Sequence, residues 1–455
     1  IRHFFLKNNG TVPKCILKRY MRFNIFNSRT RVALCSLVLC CLIISPSCGS
    51  VQKTLINIQN KHQLDTILNQ YVDEGYFPFL FARLEDKNGR VLYEHCRINR
   101  NLIPKEVINE QTWIRIWSMS KIITITIIMD LVEDGHLHLD EPVTKYIPEF
   151  DSLQVAVNEN GVPLGQIQNK NIGCKYILVK PDSIMTLRHL INHQAGFYYA
   201  TTGIDCIDSI LVSKNLLQAS DSDDLINRLA TVPLLLHPGS KYYYGTNTTV
   251  LGLVAERATG LSLKNLVEIR LFSRLNIKGL KYNLSKGETL LPYFTGIDSI
   301  LRIARKGELD IFGPDLPFYR PDNQLYLGGE GMVATADGYA DFLRIFLHNG
   351  KLNDKRFLDK NTIDEIVSPH TQINSPWGYN GYNLWVTGDT LRKREWGEEG
   401  LWQGGGYEGT QFWIDSKREF VGVIMTQIHH TPNGGWDMYN DFRGALYQQF
   451  WKDER

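Results

Sequence analysis

The sequence predicts an α+β fold: an antiparallel sheet flanked by helices, built from both chain ends, with a mainly helical insertion between them. Three observations predict it. Strand patterns stand at Phe79–Glu85 and Arg90–Cys96, strand and turn return around Leu327–Gly331, and alternating strands stand again at Gln411–Asp415 and Phe420–Gln427. Between about 150 and 320 they largely give way to short helical pieces separated by Gly, Pro and Asn loops. A run from Ile122 to Val132 is apolar on nearly every side, the pattern of a buried helix. The expected division is 53–150 with 321–455 for the sheet domain and 151–320 for the insertion.

Taken in order, Leu64, Ile67, Leu68, Tyr71 and Val72 recur at helical spacing. The two strands that follow meet at Asp86-Lys-Asn-Gly89, and Asn-Gly is a strong hairpin signal. The run after Ser118 is rich in β-branched residues, yet its length and the closing Gly135 argue for helix. Met185–His193 reads as a helix capped at Thr186, and Asn247–Thr259 as another that ends at Gly260. His189 and His193, four apart, are given packing or capping roles, since no third metal ligand stands nearby. Thr335–His348 and Trp436–Trp451 complete the helices.

The chain has 455 residues and a net charge of +2, which hides an asymmetry. Residues 1–47 carry eight Lys/Arg and no Asp/Glu, so the rest holds 42 basic against 48 acidic residues, a net of −6. An acidic body gives no electrostatic case for nucleic-acid binding. Residues 1–20 read as an upstream extension. From Met21, a basic stretch, the apolar run Val32–Ile44 and Ser45-Pro-Ser-Cys48 read as an export signal over 21–48. Cys48 after a small residue resembles the lipid-modified cysteine of bacterial lipoproteins; a plain cleaved signal or an uncleaved anchor are the alternatives. The expected location is exported, periplasmic or at the cell envelope, with the membrane touched only through that anchor. Cys96, Cys174 and Cys206 remain in the body, either as three buried thiols or with one bridge, such as Cys174 to Cys206.

Three stretches look chemical. In Trp117-Ser118-Met119-Ser120-Lys121, serine and lysine three apart on a helix share a face. A serine hydroxyl needs a base, and a lysine can be one if burial and the helix N-terminus lower its pKa. Ser-x-x-Lys is also common by chance. Pro238-Gly-Ser-Lys-Tyr-Tyr-Tyr244 presents tyrosines just before a helix, as a proton shuttle or as packing. Trp402-Gln403-Gly404-Gly405-Gly406 is a glycine-rich entry to a strand, whose backbone can approach a ligand or simply bulge.

The order of these segments resembles the serine β-lactamase-like hydrolases, the group of class C β-lactamases, D-alanyl-D-alanine carboxypeptidases and family VIII carboxylesterases. Ile114-Arg-Ile-Trp-Ser-Met-Ser-Lys121 is similar to the family's Phe-x-Ile-Ala-Ser-Met-Thr-Lys. Leu131 to Val143, Leu190 to Gly196, Pro238 to Tyr244, Val250-Leu-Gly252 and Gly328 to Thr335 follow family patterns as well. The likeness spans about residues 60–452. It implies a β-lactamase/penicillin-binding-protein-like fold and a monomer that uses no metal or cofactor. It also implies Ser118 as acylated nucleophile, Lys121 as general base, Tyr244 as proton shuttle, and the amides of Ser118 and Gly406 as oxyanion hole. The substrate would be a small ester, amide or peptide.

The chain departs from the family twice. The second motif, usually Tyr-x-Asn, is Tyr244-Gly245-Thr246, with Asn247 one place late and Thr246 or Asn247 as supporting candidates. The third motif, Lys-Thr-Gly or Trp-Gly-Gly in relatives, is Gln403-Gly404-Gly405, expected at the substrate. A lost lysine removes the charge that would bind a substrate carboxylate. The expectation is therefore an esterase-type serine hydrolase acting on uncharged esters or amides. A β-lactamase or carboxypeptidase, and an inactive binding protein, are the alternatives. Tyr198, Tyr199, Phe318 and Tyr319 stand as aromatic pocket or core residues.

Overall fold

The computed structural model describes residues 56–453, apart from 172, 309–310, 313–316 and 374–377. The extension at 1–20, the export signal at 21–48 and Cys48 lie outside the described residues.

Helix α1, Lys61–Asp73, opens on Asn60, whose side chain accepts from the Gln63 amide at 3.1 Å, and it buries Leu64, Leu68 and Val72. Strands β1, Phe79–Asp86, and β2, Val91–Ile98, form the expected hairpin. The Asp86 carboxylate accepts from the Asn88 and Arg90 amides and so fixes the turn. Next come α2, Ser120–Glu133; α3, Leu187–Ile191; α4, Asn247–Thr259; and α5, Ala336–Leu347. Strands β3, Thr371–Gln372; β4, Tyr379–Asn380; β5, Trp385–Val386; β6, Trp402–Gly405; β7, Gln411–Asp415; and β8, Phe420–Met425, lead to α6, Met438–Asp453.

These strands make one eight-stranded sheet in the order β3-β4-β5-β6-β7-β8-β1-β2, every pair antiparallel. β1 lies beside β8, with Phe81 opposite Met425, so strands from the two chain ends pair within one sheet. Neighbouring residues of a strand face opposite sides. Phe412 packs on Tyr339 of α5 at 5.6 Å between ring centroids, and Trp413 on Phe442 of α6 at 6.4 Å. α5 and α6 therefore cover opposite faces.

α2 lies in the core, with every residue from Ser120 to Leu131 buried. Its end is a Schellman turn. Gly135, at φ +73°, donates to Val132 O at 3.0 Å, and the His136 amide donates to Leu131 O at 2.9 Å. α4 matches its expected span and ends on Gly260 at φ +70°. The two-residue strands β3 to β5 carry no alternating pattern to read and were not expected. Cys96, Cys174 and Cys206 are free thiols, and Cys174 is exposed rather than buried. Among the described residues no helix is long and apolar enough to cross a membrane.

Candidate active site

Ser118 sits in a short 3₁₀ turn, Trp117–Met119, that runs directly into α2. Trp117, fully buried, holds φ +45°. That conformation costs a bulky residue roughly 1–3 kcal/mol and persists only where packing imposes it. Here the indole is wedged against the Tyr407 ring at 5.2 Å. One turn on, Lys121 Nζ lies 3.1 Å from Ser118 Oγ.

Lys121 is almost wholly buried, and four oxygens surround its Nζ. Besides Ser118 these are Tyr199 Oη at 2.8 Å, Gly329 O at 3.0 Å and Glu330 Oε1 at 3.1 Å. Glu330 Oε1 also accepts from Tyr199 Oη, and its Oε2 accepts from Thr249 Oγ1 at 2.5 Å. The turn that carries Glu330 is tied to α2. Thr124 Oγ1 donates to Gly328 O at 2.6 Å, and the Met332 amide donates to Ser120 Oγ at 3.2 Å, which gives Ser120 a structural role. At Gly329 a Cβ would stand 3.1 Å from Lys121 Nζ, so the chain approaches the ammonium as only glycine can without displacing it.

The charge on Lys121 differs from expectation. Burial alone lowers its pKa, but the Glu330 carboxylate and the Tyr244 phenol outweigh that and raise it. Lys121 is thus a buried cation with its own counter-ion, not a lysine neutralised by desolvation.

Tyr244 lies across Lys121, whose Nζ is 5.1 Å from the ring centroid. Two contacts place it. The Tyr243 amide donates to His193 O at 2.7 Å, and the His193 ring lies 4.8 Å from the Tyr244 ring. His193 is fully buried at φ +53°, and its Nδ1 accepts from Asn247 Nδ2 at 3.1 Å. Burial first, and then the Lys121 charge, push its pKa down to about 3, so it is neutral. His189 accepts from the Thr186 amide as half of a capping box. Gly245 cannot carry a side chain, because its Cβ would meet Phe197 O at 2.2 Å. Thr246 and Asn247 are buried at the start of α4, and Asn247 holds His193 instead of reaching the cleft.

The cleft in front of Ser118 has a volume of about 10 Å³, room for about one water molecule. Lys121, His193, Tyr242, Tyr244, Asn380, Asn383, Trp385, Gly404, Gly405 and Phe412 line it. Two expectations at the third motif need correction. Gln403 stands opposite Trp413 in the β6–β7 register and so shares the α6 face, where its Oε1 accepts from Arg443 Nη1. The pleat turns it away from the cleft. Gly404, on the other face, contributes instead, and a Cβ there would strike the Phe412 ring at 2.6 Å. The Gly406 amide is already committed, donating to Thr410 O at 2.8 Å. Alternation along the strand turns the Gly405 amide to the opposite edge of β6.

The four aromatics read as pocket or core residues do not line the cleft, and three of them, Tyr198, Tyr199 and Tyr319, are buried. Tyr198 is buried and donates to Ile207 O at 3.3 Å, and Tyr199 belongs to the Lys121 network. Tyr319 is buried, and Phe318 lies under the Arg320 guanidinium. The residues missed in the sequence are Glu330, Thr249, Asn380, Asn383 and Trp385, and Tyr199 was named without its link to Lys121. Glu330 left one signal, a single carboxylate inside the glycine-rich run Leu327-Gly-Gly-Glu-Gly-Met332.

The Beta-lactamase family model matches residues 86–440. The acyltransferase mokF of Monascus pilosus is 24% identical over 312 residues, covering 68% of this chain and 70% of its own. Esterase EstB of Burkholderia gladioli is 25% identical over 386 residues, 82% of this chain and 92% of that protein. Among solved structures, EstCE1, a hydrolase with promiscuous acyltransferase activity, superposes with a TM-score of 0.68 at 21% identity, covering 85% of this chain and 98% of its own. With a family match over most of its length, around a buried Ser-x-x-Lys turn, the chain belongs to the beta-lactamase family and is a serine-type hydrolase of that family's fold.

Proposed function

We propose that the protein is an esterase that works through an acyl-enzyme on Ser118, with small, uncharged esters or amides as substrates. The observation that carries this reading is the Ser118 Oγ–Lys121 Nζ contact of 3.1 Å at the floor of the cleft. Lys121 is the base partner through which the Ser118 proton leaves as Oγ attacks the substrate carbonyl. Tyr244, across the lysine from the serine, returns a proton to the leaving group. The amide of Ser118 and the Gly405 edge of β6 hold the oxyanion. Water then resolves the acyl-enzyme.

Substrate charge follows from the lining. Lys121 is the one Lys or Arg among the described lining residues, and Glu330 already balances it. A β-lactam or peptide carboxylate would enter without a counter-ion, at a cost the site does not offset. The name of mokF supports a second reading, in which an alcohol rather than water takes the acyl group.

Hydrolysis of a short-chain nitrophenyl ester, set beside a chromogenic cephalosporin, tests the proposal. Ester turnover should exceed cephalosporin turnover by at least about a hundredfold and vanish in Ser118→Ala. Equal turnover of both, or an active Ser118→Ala, contradicts it.

A further inference from the structure

We propose that Glu330 is the proton acceptor behind Lys121, so that Ser118, Lys121 and Glu330 form a relay in which the lysine passes a proton on rather than keeping it. The inference rests on the acyl-enzyme reading of Ser118 and goes beyond it.

The geometry makes the case. Nζ has four oxygen neighbours, but an ammonium has three protons to give. The Gly329 carbonyl and the Glu330 carboxylate can only accept, whereas the Ser118 and Tyr199 hydroxyls can act either way. The three N–H groups thus face more acceptors than they can serve at once, and an ammonium has no lone pair with which to accept in return. Glu330 Oε1 and Ser118 Oγ each stand 3.1 Å from the same nitrogen, so one N–H can point at the carboxylate while the serine waits beside it.

A simple lysine base would have to be neutral at rest, and the buried counter-ion opposes this. The relay removes that conflict. Nζ first gives a proton to Glu330 Oε1, which frees the lone pair that takes the Ser118 proton as Oγ forms its bond to the acyl carbon. The lysine returns to its cationic form, the carboxylate has become a carboxylic acid, and the negative charge stands on the oxyanion. When the bond to the leaving alkoxide breaks, the proton returns from Glu330 through Lys121 and Tyr244, and an alcohol departs. In a desolvated site the charged and neutral forms of such a pair lie much closer in energy than in water, so the transfer is accessible.

Glu330 is fully buried, and the groups around it fit this role. Tyr199 and Thr249 hold both its oxygens in place. Tyr282 and Tyr319 bear on the cluster as neutral phenols, their pKa values raised by burial. His193, on the far side of Tyr244, is neutral too. Glu330 acts through Lys121 and is a positioning residue with respect to the substrate.

The test is the pH dependence of kcat/KM for a nitrophenyl ester in the parent, Glu330→Gln and Ser118→Ala. The relay predicts a parent profile that is flat from about pH 7 to 9. For Glu330→Gln it predicts a fall of about 10²–10³-fold at pH 7, with a rate that climbs with pH as Lys121 must shed its own proton. A Glu330→Gln variant as fast as the parent, with the same profile or faster at every pH, overturns the relay. If that variant does not fold, the parent decides alone: a tenfold rise per pH unit through pH 9 shows that Lys121 must be neutral and also overturns it. Loss of activity in Ser118→Ala with a parent-like Glu330→Gln refutes only the relay, whereas an active Ser118→Ala refutes the acyl-enzyme reading beneath it.

Discussion

Ser118, Lys121 and Tyr244 were legible because each sits in a local pattern whose chemistry is known. Glu330 was not, although it touches Lys121, because the two are 209 residues apart in the chain. No local pattern records which carboxylate will meet which ammonium. The same distance hid the sign of the lysine's pKa shift. Burial could be anticipated from the apolar run, but its buried counter-ion could not. His193 offers a test at this scale. Its pKa is about 3 in the folded chain, against an ordinary value near 6.5 when unfolded. The unfolded chain therefore binds the extra proton between those values. The stabilisation is complete above pH 6.5 and is lost progressively as pH falls towards 3. Chemical denaturation at pH 7 and pH 4.5 should show the parent losing about 2–3 kcal/mol more than His193→Gln, whose side chain takes up no proton.

At the scale of elements, α4 was read almost to the residue, since Gly260 stops it and its apolar positions keep helical spacing. The short strands β3 to β5 escaped. Two residues cannot show a period, and their pairing is set by the neighbouring strand. At the third motif Gly404 and Gly405 line the cleft as read, whereas Gln403 does not, for a related reason. Its position was right, but a one-residue shift in a pleat changes the face, and only the β6–β7 register decides that Gln403 meets Arg443 while Gly404 meets the cleft. α2 was the most legible element, and its burial links core to chemistry. Ile125 is completely buried in it. Ile125→Ala should cost about 2–5 kcal/mol of stability in urea unfolding, through lost transfer energy and the cavity left behind. A cost below about 1 kcal/mol would mean that the helix is not the rigid floor of the site.

For the whole molecule, the split strand pattern foretold a sheet closed by both chain ends, and β1 beside β8 is that closure. The cleft lies where this sheet, at Gly404 and Phe412, meets α2 and the start of α4. Three segments distant in sequence thus supply nucleophile, tyrosine and strand edge to one small space. That convergence is the basis of the central claim, that Ser118 carries the acyl group. Intact mass spectrometry after brief exposure to a slow nitrophenyl ester, with peptide mapping, tests it most directly. The account predicts one added acyl mass located at Ser118 in the parent and none in Ser118→Ala. An adduct of equal yield in Ser118→Ala, or one mapped to another residue, would contradict it.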